Sequence, residues 1–189
     1  MAEQISPEGF LNPDAVVGEF GITSGMRIAD FGCGAGHIGI LVAQMAGKDS
    51  FVTALDIMED KLESIKSRAK AVGLENLETK RANLEVLGNT GLGDETQDMV
   101  LLINILFQSN KKQDILKEAK RVLKPSGTVI LVEWKKEVGG LPAGRQGFGP
   151  PDALRTEAGA MQSIFISEGF VLVRPFNAGQ FHYGMIFRK

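Results

Sequence analysis

Three alternating glycines mark the stretch of the sequence that is best suited to holding a ligand. Gly32, Gly34 and Gly36 follow an apolar run from Met26 that predicts a buried strand, and apolar residues at helical spacing come after them. Glycine permits backbone dihedral angles that are closed to other residues, and it lets a ligand lie against the main chain. The helix that follows directs its unpaired N–H groups and the positive end of its dipole toward such a ligand. The sequence therefore predicts a binding turn between a first strand and the helix after it.

Asp30, near the end of that first strand, bears on which cofactor the turn holds. Gly34, Gly36 and Gly39 match the G-x-G-x-x-G pattern of dinucleotide-binding folds, with Asp56 as the acid about 20 residues further on. An ionised carboxylate at the mouth of the turn would repel a pyrophosphate, whereas it suits a ligand with a positive charge. A cationic cofactor is favoured, and an NAD-dependent oxidoreductase is the alternative. A third interpretation is that Asp30 only caps the next helix and the glycines form a structural turn.

The pattern Asp-x-Gly-x-Gly-x-Gly, formed by Asp30, Gly32, Gly34 and Gly36, resembles motif I of the class I S-adenosylmethionine-dependent methyltransferases. In that family the acid helps to hold the methionine end of the cofactor, directly or through water, and the glycines line it. The resemblance therefore implies S-adenosylmethionine as the cofactor. Cys33 occupies the variable position in the same loop, where we expect it to line the cofactor rather than to act as a nucleophile.

A second buried strand, residues 51–56, ends in an acid. A carboxylate at that point can accept hydrogen bonds from two adjacent ribose hydroxyls, and Asp56 matches the ribose-binding acid of the resembled family. The alternative is that Asp56 only caps the next helix. The resemblance also implies adenine contacts at Ile57, Asn83 and Leu84. Asn83 stands where the family commonly has an Asp, and its side chain keeps a carbonyl acceptor for the adenine amino group.

Asn104 follows a fourth strand over residues 98–103. Ligands bind at the carboxyl ends of the strands in this architecture, so we expect Asn104 to face the transferred methyl group. The segment after it has neither Asn-Pro-Pro-Tyr nor Asp-Pro-Pro-Tyr, which argues against amino-methyltransferases that act on DNA or glutamine. It also has no acid that would help to hold Mg²⁺, as catechol-type enzymes need. Two histidines and one cysteine without ligand spacing predict no zinc site.

Three side chains are candidates for acid–base chemistry or acceptor contact, namely Glu133, His182 and Tyr183, and each has packing as its alternative role. The sulfonium is already a good leaving group, so direct methyl transfer needs alignment and desolvation more than a catalytic triad. Alternate residues of an extended strand share a face, which places Tyr183 opposite to His182. We hypothesise that His182, with an ordinary pKa of about 6.5, lines the acceptor pocket and deprotonates the acceptor. The alternative is an exposed position at the end of a turn.

The order of the elements, taken with the resemblance, predicts one α/β domain over residues 1–189 with the Rossmann-like methyltransferase fold. We expect a seven-stranded, mostly parallel sheet with a C-terminal antiparallel hairpin and helices on both faces. Residues 121–127, running into a fifth strand over 128–134, resemble the post-motif region of the quinone-biosynthesis-like small-molecule methyltransferases. A final helix is predicted over residues 152–168, before the hairpin.

Two segments are candidate lids. Residues 1–24 contain a leading helix that starts at Asn12, and in the resembled family such a helix lies over the cofactor, so Phe10 and Leu11 are lid candidates or simple docking contacts. Residues 137–151 are rich in Gly and Pro and predict a long loop, which is either a substrate lid or an insertion without function.

Charge and composition favour a small-molecule methyl acceptor over nucleic acid. The net charge is −2, from 21 basic and 23 acidic residues, and a protein that binds phosphate backbones usually has a basic face. Basic clusters at 66–70 and 117–124 have the spacing of outer helix faces. No apolar run has the length of a membrane span, no secretory signal is evident, and the single cysteine agrees with a reducing compartment, so a cytoplasmic location is expected. A non-catalytic domain that binds the cofactor is a further alternative.

Overall fold

Seven strands pair into one sheet in a computed structural model, which describes residues 11–136 and 149–189. The strands are β1 (Arg27–Phe31), β2 (Phe51–Asp56), β3 (Leu77–Arg81), β4 (Gln97–Ile103), β5 (Leu123–Trp134), β6 (Val171–Asn177) and β7 (His182–Arg188). The helices are α1 (Pro13–Gly18), α2 (His37–Ala46), α3 (Glu59–Ala71), α4 (Lys112–Val122) and α5 (Ala158–Ser167). Every helix in these two ranges is too short or too polar to cross a membrane.

The strands lie in the order β3-β2-β1-β4-β5-β7-β6. The first five pair in parallel, whereas β7 runs antiparallel to both β5 and β6. The predicted Rossmann-like methyltransferase fold with its closing hairpin is therefore confirmed. The strand order reverses between β1 and β4, and the carboxyl ends of these neighbours border a crevice of the kind that binds ligands in open α/β sheets.

Two apolar clusters cover the two faces of the sheet. One contains buried side chains of α4 and α5, and the other contains those of α1 and α2. Strand β7 contributes to both, because Tyr183, Met185 and Phe187 join the first cluster while Ile186 joins the second. This confirms the alternation that the sequence predicts for β7, and it places His182 on the same face as Ile186.

The leading helix starts as predicted, since the Asn12 side chain accepts a hydrogen bond from the Ala15 amide at 3.3 Å. Leu11 packs, partly buried, against the cluster that contains α1 and α2. Phe10 lies outside the described residues, as does most of the Gly/Pro-rich loop (137–148). The lid interpretations of these two segments therefore stay predictions.

The prediction for the final helix is wrong at its beginning. Residues 152–154 form a single 3₁₀ turn, and α5 starts only at Ala158. Between them, the Arg155 guanidinium donates to the carbonyls of Pro150 and Lys135, and the Tyr183 hydroxyl donates to the Thr156 carbonyl. The bonds from Arg155 to Lys135 and from Tyr183 to Thr156 join residues 20 and 27 positions apart, and they hold the backbone in an extended conformation that local helical spacing does not reveal.

Arg121 and Thr90 are also placed differently from the prediction. The spacing of basic residues predicts a solvated face for Arg121, and the turn-rich stretch 88–94 predicts exposure for Thr90. The Arg121 side chain is only 20% exposed and pairs with Glu118, whose side chain is fully buried. Thr90 is buried as well and donates its hydroxyl to the same carboxylate. A buried acid on α4 therefore draws a surface loop inward.

A change at Phe165 tests the packing of α5 on the sheet. Its ring stacks on Phe187 with centroids 4.1 Å apart and contacts Phe170 at 5.6 Å, and the side chain is fully buried. We expect Phe165→Ala to lower the free energy of unfolding by about 3–5 kcal/mol in urea titrations, since it removes apolar contacts and leaves a cavity. Ile166→Ala, at the neighbouring position that is 52% exposed, is the control and should change stability by less than about 0.5 kcal/mol. Equal losses in the two variants would contradict this packing.

Candidate cofactor site

A cavity of about 590 Å³ opens where the carboxyl ends of β1, β2 and β4 meet. Its volume lies within the range of pockets that hold small molecules and cofactors. The cavity is lined by all the predicted cofactor-binding residues except Asp30 and Gly36, which are Gly32, Cys33, Gly34, Asp56, Ile57, Asn83, Leu84 and Asn104. The structure therefore brings together residues from four separate loops into one concave surface.

The three glycines of the turn have positive φ angles but different surroundings. A Cβ on Gly32 would lie 2.5 Å from the Ile105 side chain, and one on Gly36 would run into Ile65. A Cβ on Gly34, at φ +50°, would meet no atom within 4 Å. Packing inside the protein therefore requires Gly32 and Gly36, whereas Gly34 leaves bare backbone facing open space.

Gly39 explains why the sequence also matches the dinucleotide pattern. It lies in α2, where a Cβ would come within 2.6 Å of the Asp30 Oδ2 atom. The helix can therefore pack over the acid only if this position has no side chain. Contact with Asp30 therefore explains why the last residue of the G-x-G-x-x-G match is glycine, and no bound pyrophosphate is needed to explain it.

Asp30 is only 2% exposed, so it lies beneath the glycine turn and not at its mouth, which corrects the sequence prediction. Burial, with a further contribution from the negative charge of Asp56, raises the pKa of Asp30 to about 7. Burying an ionised carboxylate is costly unless a cation compensates it. A positively charged ligand in the adjacent turn would lower this pKa and relieve the cost, so the site fits a cationic cofactor.

Asp56 joins two of the loops that border the cavity. Its Oδ2 atom accepts a hydrogen bond from the Gly34 amide at 3.0 Å, and its Oδ1 atom accepts one from the Met58 amide at 2.9 Å. The N-cap of α3 is Met58, so capping is not the role of Asp56. Each carboxylate oxygen can accept more than one hydrogen bond, which leaves capacity for neighbouring hydroxyls of a ligand.

The loop after β3 supplies the opposite side of the cavity. The Asn83 Oδ1 atom accepts a hydrogen bond from the Glu85 amide at 3.0 Å, and the Asn83 amide donates to the Asn89 side chain at 2.6 Å. Leu84 is nearly buried, while Ile57 on the loop after β2 is 53% exposed. The cavity thus has an apolar surface beside a carbonyl oxygen whose orientation is fixed by a local turn.

Asn104 connects the cavity to the C-terminal hairpin. Its φ angle is +53°, an uncommon conformation for a residue other than glycine, and its amide donates to the Val132 carbonyl. The Asn104 Nδ2 atom lies 3.2 Å from the His182 Nε2 atom. Its Oδ1 atom is buried and has no hydrogen-bond partner in the described parts of the chain. Unusual backbone conformation with an unpaired buried acceptor is typical of a functional position.

His182 is 1% exposed, so the alternative of an exposed position at a turn is wrong. Its ring lies 4.1 Å from that of Trp134, centroid to centroid. Burial, and then the positive charges of Lys135 and Arg155, lower the pKa of His182 to about 4. The imidazole is therefore neutral at physiological pH. Contrary to the sequence hypothesis, His182 does not line the cavity itself but lies behind Asn104, which does.

Glu133 and Tyr183 have their polar atoms directed at backbone groups. The buried Glu133 carboxylate accepts from the amides of Leu106 and Phe107, at 2.7 and 3.1 Å, and from its neighbour Trp134 at 3.2 Å. Burial nevertheless raises its pKa to about 7. The Tyr183 hydroxyl donates to the Thr156 carbonyl, as described above, and its burial raises its pKa. Neither side chain lines the cavity.

Cys33 lines the cavity but is a poor nucleophile. Burial raises the pKa of its thiol, and the neighbouring carboxylates of Asp30 and Asp56 raise it further. The reactive form of cysteine is the thiolate, which this environment suppresses. The thiol therefore serves as a small lining group.

The fold and this site together define a class I S-adenosylmethionine-dependent methyltransferase domain. Residues 22–143 match the family described as a methyltransferase domain, which is more than half of the chain. The chain belongs to that family. A SAM-dependent methyltransferase from Aquifex aeolicus has a similar crystal structure, with a TM-score of 0.84 and 25% identity, over 98% of this chain and 93% of that one.

Curated relatives are similar over a shorter stretch. A demethylmenaquinone methyltransferase of Bacillus cytotoxicus is 33% identical over 112 residues, which is 59% of this chain and 46% of that protein. A ubiquinone/menaquinone biosynthesis C-methyltransferase of Escherichia fergusonii is 28% identical over 119 residues, which is 62% of this chain and 46% of that protein. The chain thus matches about half the length of these curated relatives.

The raised pKa of Asp30 predicts how stability depends on pH. In the unfolded chain Asp30 ionises near pH 3.8, but in the folded protein it does so near pH 7, so its ionisation destabilises the cofactor-free fold as pH rises through this window. We expect Asp30→Asn to remove this loss. The stability gained by Asp30→Asn should be roughly 1–3 kcal/mol greater at pH 8 than at pH 5.

Urea unfolding of the cofactor-free protein at the two pH values measures this difference. Asp49→Asn, at an exposed position, is the control and should show no such difference. The same gain from Asp30→Asn at both pH values would show that the carboxylate is not held in an unfavourable environment.

Proposed function

We propose that this protein transfers the methyl group of S-adenosylmethionine to a small-molecule acceptor by in-line displacement. The observation that carries the proposal is the open face of Gly34, whose amide donates to the Asp56 carboxylate within a cavity of cofactor size. S-adenosylmethionine supplies an electrophilic methyl group on a sulfonium that is already a good leaving group. The protein's part is therefore to align the two reactants and exclude water.

We assign the cofactor-binding roles by the chemistry of each side chain. Asp56 accepts hydrogen bonds from the ribose hydroxyls, and the backbone at Gly34 lies against the cofactor. Ile57 and Leu84 provide the apolar contacts of the adenine ring, and the Asn83 carbonyl accepts from the adenine amino group. Asp30 stabilises the positively charged methionine end by its charge from beneath the turn.

The acceptor side is proposed at Asn104 and His182. The unpaired Asn104 Oδ1 atom is available to a donor on the acceptor, and the neutral His182 ring can take up a proton. A pKa of about 4 makes His182 a weak base. Such a base suits an acceptor that becomes strongly acidic once the new bond forms, as an electron-rich ring carbon does. The similarity to C-methyltransferases of quinone biosynthesis supports the same acceptor class.

Glu133 and Tyr183 are proposed to support the site rather than to act on the acceptor. Glu133 holds the turn at residues 106–108 through two backbone amides, and only Ile105 separates this turn from Asn104. Tyr183 joins β7 to the segment before α5. A cytoplasmic location is proposed as well, supported by the single cysteine of the sequence.

Ligand-dependent unfolding distinguishes this proposal from its two alternatives. A ligand at about 100 times its dissociation constant stabilises the folded state by roughly 2.7 kcal/mol, so S-adenosylmethionine should raise the melting temperature and NAD should not. The reverse result would favour an NAD-dependent oxidoreductase. Stabilisation by S-adenosylmethionine without release of S-adenosylhomocysteine, across pooled electron-rich small molecules, would favour a non-catalytic cofactor-binding domain.

Replacement of Asp56 tests the ribose assignment. We expect Asp56→Ala to weaken S-adenosylmethionine binding by about 1.5–3 kcal/mol in calorimetry, the scale of a hydrogen bond to a charged group. Asp56→Asn keeps one carbonyl acceptor and should lose less. Asp60→Ala, at an exposed acid on the first turn of α3, is the control and should bind the cofactor like the parent. Unchanged affinity in a folded Asp56→Ala protein would refute the assignment.

A second replacement tests the proposed base. With an acceptor in hand, we expect His182→Gln to reduce turnover at least about tenfold, which corresponds to about 1.4 kcal/mol of activation free energy. The affinity for S-adenosylmethionine should stay the same. Because the pKa of His182 is about 4, the parent's dependence on this group should level off well below pH 6. Turnover within about twofold of the parent from pH 6 to 9 would remove His182 from the mechanism.

A further inference from the structure

Glu118 on α4 is a buried acid that takes no part in the site described above. Its carboxylate accepts hydrogen bonds from the Gly88 amide at 2.7 Å, from the Thr90 hydroxyl, and from the Arg121 Nε and Nη2 atoms at 2.9 and 2.7 Å. A buried carboxylate is tolerated when its oxygens are paired in this way. The Glu118 carboxylate thus binds two residues of the loop after β3 and Arg121 of its own helix.

Charge keeps this carboxylate ionised. Burial raises the pKa of Glu118, but the hydrogen bonds from Arg121, Gly88 and Thr90, with the charge of Arg121, bring it below its ordinary value. Arg121 in turn donates to the Leu92 carbonyl at 2.9 Å and pairs with Asp94 at 2.5 Å. The loop is therefore attached to α4 at several points along its length.

Asn89 lies between the two loop residues that Glu118 holds. Its Oδ1 atom accepts the hydrogen bond from the Asn83 amide at 2.6 Å, and the Asn83 side chain accepts from the Glu85 amide at 3.0 Å. Asn83 and Glu85 line the cavity, whereas Asn89 and Glu118 do not. Glu118 therefore holds the residues on either side of Asn89, and the Asn89 side chain in turn binds the Asn83 backbone at the side of the cavity that is proposed for adenine.

The loop is attached on its other side as well. The Glu85 Oε1 atom accepts from the Ser109 hydroxyl at 2.7 Å, and Ser109 is nearly buried in the segment after β4. Asn83 is therefore held at its side-chain oxygen by Glu85, which is attached to the neighbouring loop, and at its backbone amide by Asn89. This restricts the directions in which its carbonyl oxygen can point.

We propose that Asn89, whose neighbours Gly88 and Thr90 are held by Glu118, is a positioning residue that orients Asn83 through its backbone amide and thereby makes the site selective for adenine over hypoxanthine. This inference rests on the proposed function. Adenine presents an amino donor where hypoxanthine presents a carbonyl acceptor, so an acceptor oxygen fixed at that point binds the first base and repels the second. An oxygen that is free to rotate away discriminates less, because the side chain can then turn its amide nitrogen toward the carbonyl.

Calorimetry with S-adenosylhomocysteine and its hypoxanthine analogue, S-inosylhomocysteine, tests the inference. We expect Asn89→Ala to reduce the preference of the parent for the adenine compound by about fivefold or more, mainly through weaker binding of that compound. Asn89→Asp retains the acceptor oxygen and should keep the preference within about twofold of the parent. A general loss of structure would weaken both ligands together and would not be rescued by aspartate.

Glu118→Gln should reproduce the loss, because one acceptor oxygen is replaced by a donor. Asn89 is exposed, so Asn89→Ala is expected to stay folded and remains decisive even if Glu118→Gln unfolds. Asp114→Asn is the matched control, since Asp114, like Glu118, pairs with a basic residue three positions on in α4, here Lys117, but is 46% exposed. It should leave the preference unchanged.

Two results would overturn the inference, and they separate it from the proposed function. If the parent prefers S-adenosylhomocysteine and Asn89→Ala shows the same preference, the positioning role is wrong while the proposed function stands. If the parent binds neither compound, the proposed function fails and the inference fails with it.

Discussion

Hydrogen bonds from backbone amides to carboxylates are the interaction on which this site depends. The turn after β1 and the loop after β2 leave the sheet with N–H groups that no strand can pair, and Asp56 accepts one from each, at Gly34 and Met58. Bonds to an ionised acceptor are stronger than those between neutral groups. One side chain therefore fixes the distance between two loops that face the same cavity.

The same device recurs at the other loops that border the cavity. Glu133 on β5 accepts from the amides of Leu106 and Phe107, and Glu118 on α4 accepts from the Gly88 amide. Both acids are buried and belong to a strand or an α-helix, whereas the amides belong to a loop or to the short 3₁₀ turn at residues 106–108. Loops held in this way need little ordering when a ligand binds, which preserves affinity and alignment. The strands and helices thus hold the irregular segments around the cavity in fixed positions.

The environment of Asp30, unlike that of Glu118, disfavours an ionised carboxylate. Asp30 is buried beneath the glycine turn, and burial with the neighbouring Asp56 charge makes its ionised form unfavourable in the cofactor-free protein. A cationic ligand would stabilise this carboxylate. Asp30 therefore lowers the stability of the cofactor-free protein but raises its affinity for such a ligand. Gly39 belongs to this arrangement, since any side chain there would displace the carboxylate. Stability and binding therefore conflict at one residue.

The sequence by itself determined the elements and their class, because buried strands, the glycine turn and the amphipathic helices are encoded by local spacing. The predicted end of β2 at Asp56 and the alternation along β7 were confirmed for that reason. Only the tertiary structure decided that His182 is buried, that Arg121 pairs with a buried acid, and that Gly34 alone of the three turn glycines faces open space. The burial of His182 and the surroundings of the glycines depend on groups far away in the chain. Arg121 and Glu118 are only three residues apart, but Glu118 is also bonded by Gly88 and Thr90 of a distant loop, and no local pattern records such contacts.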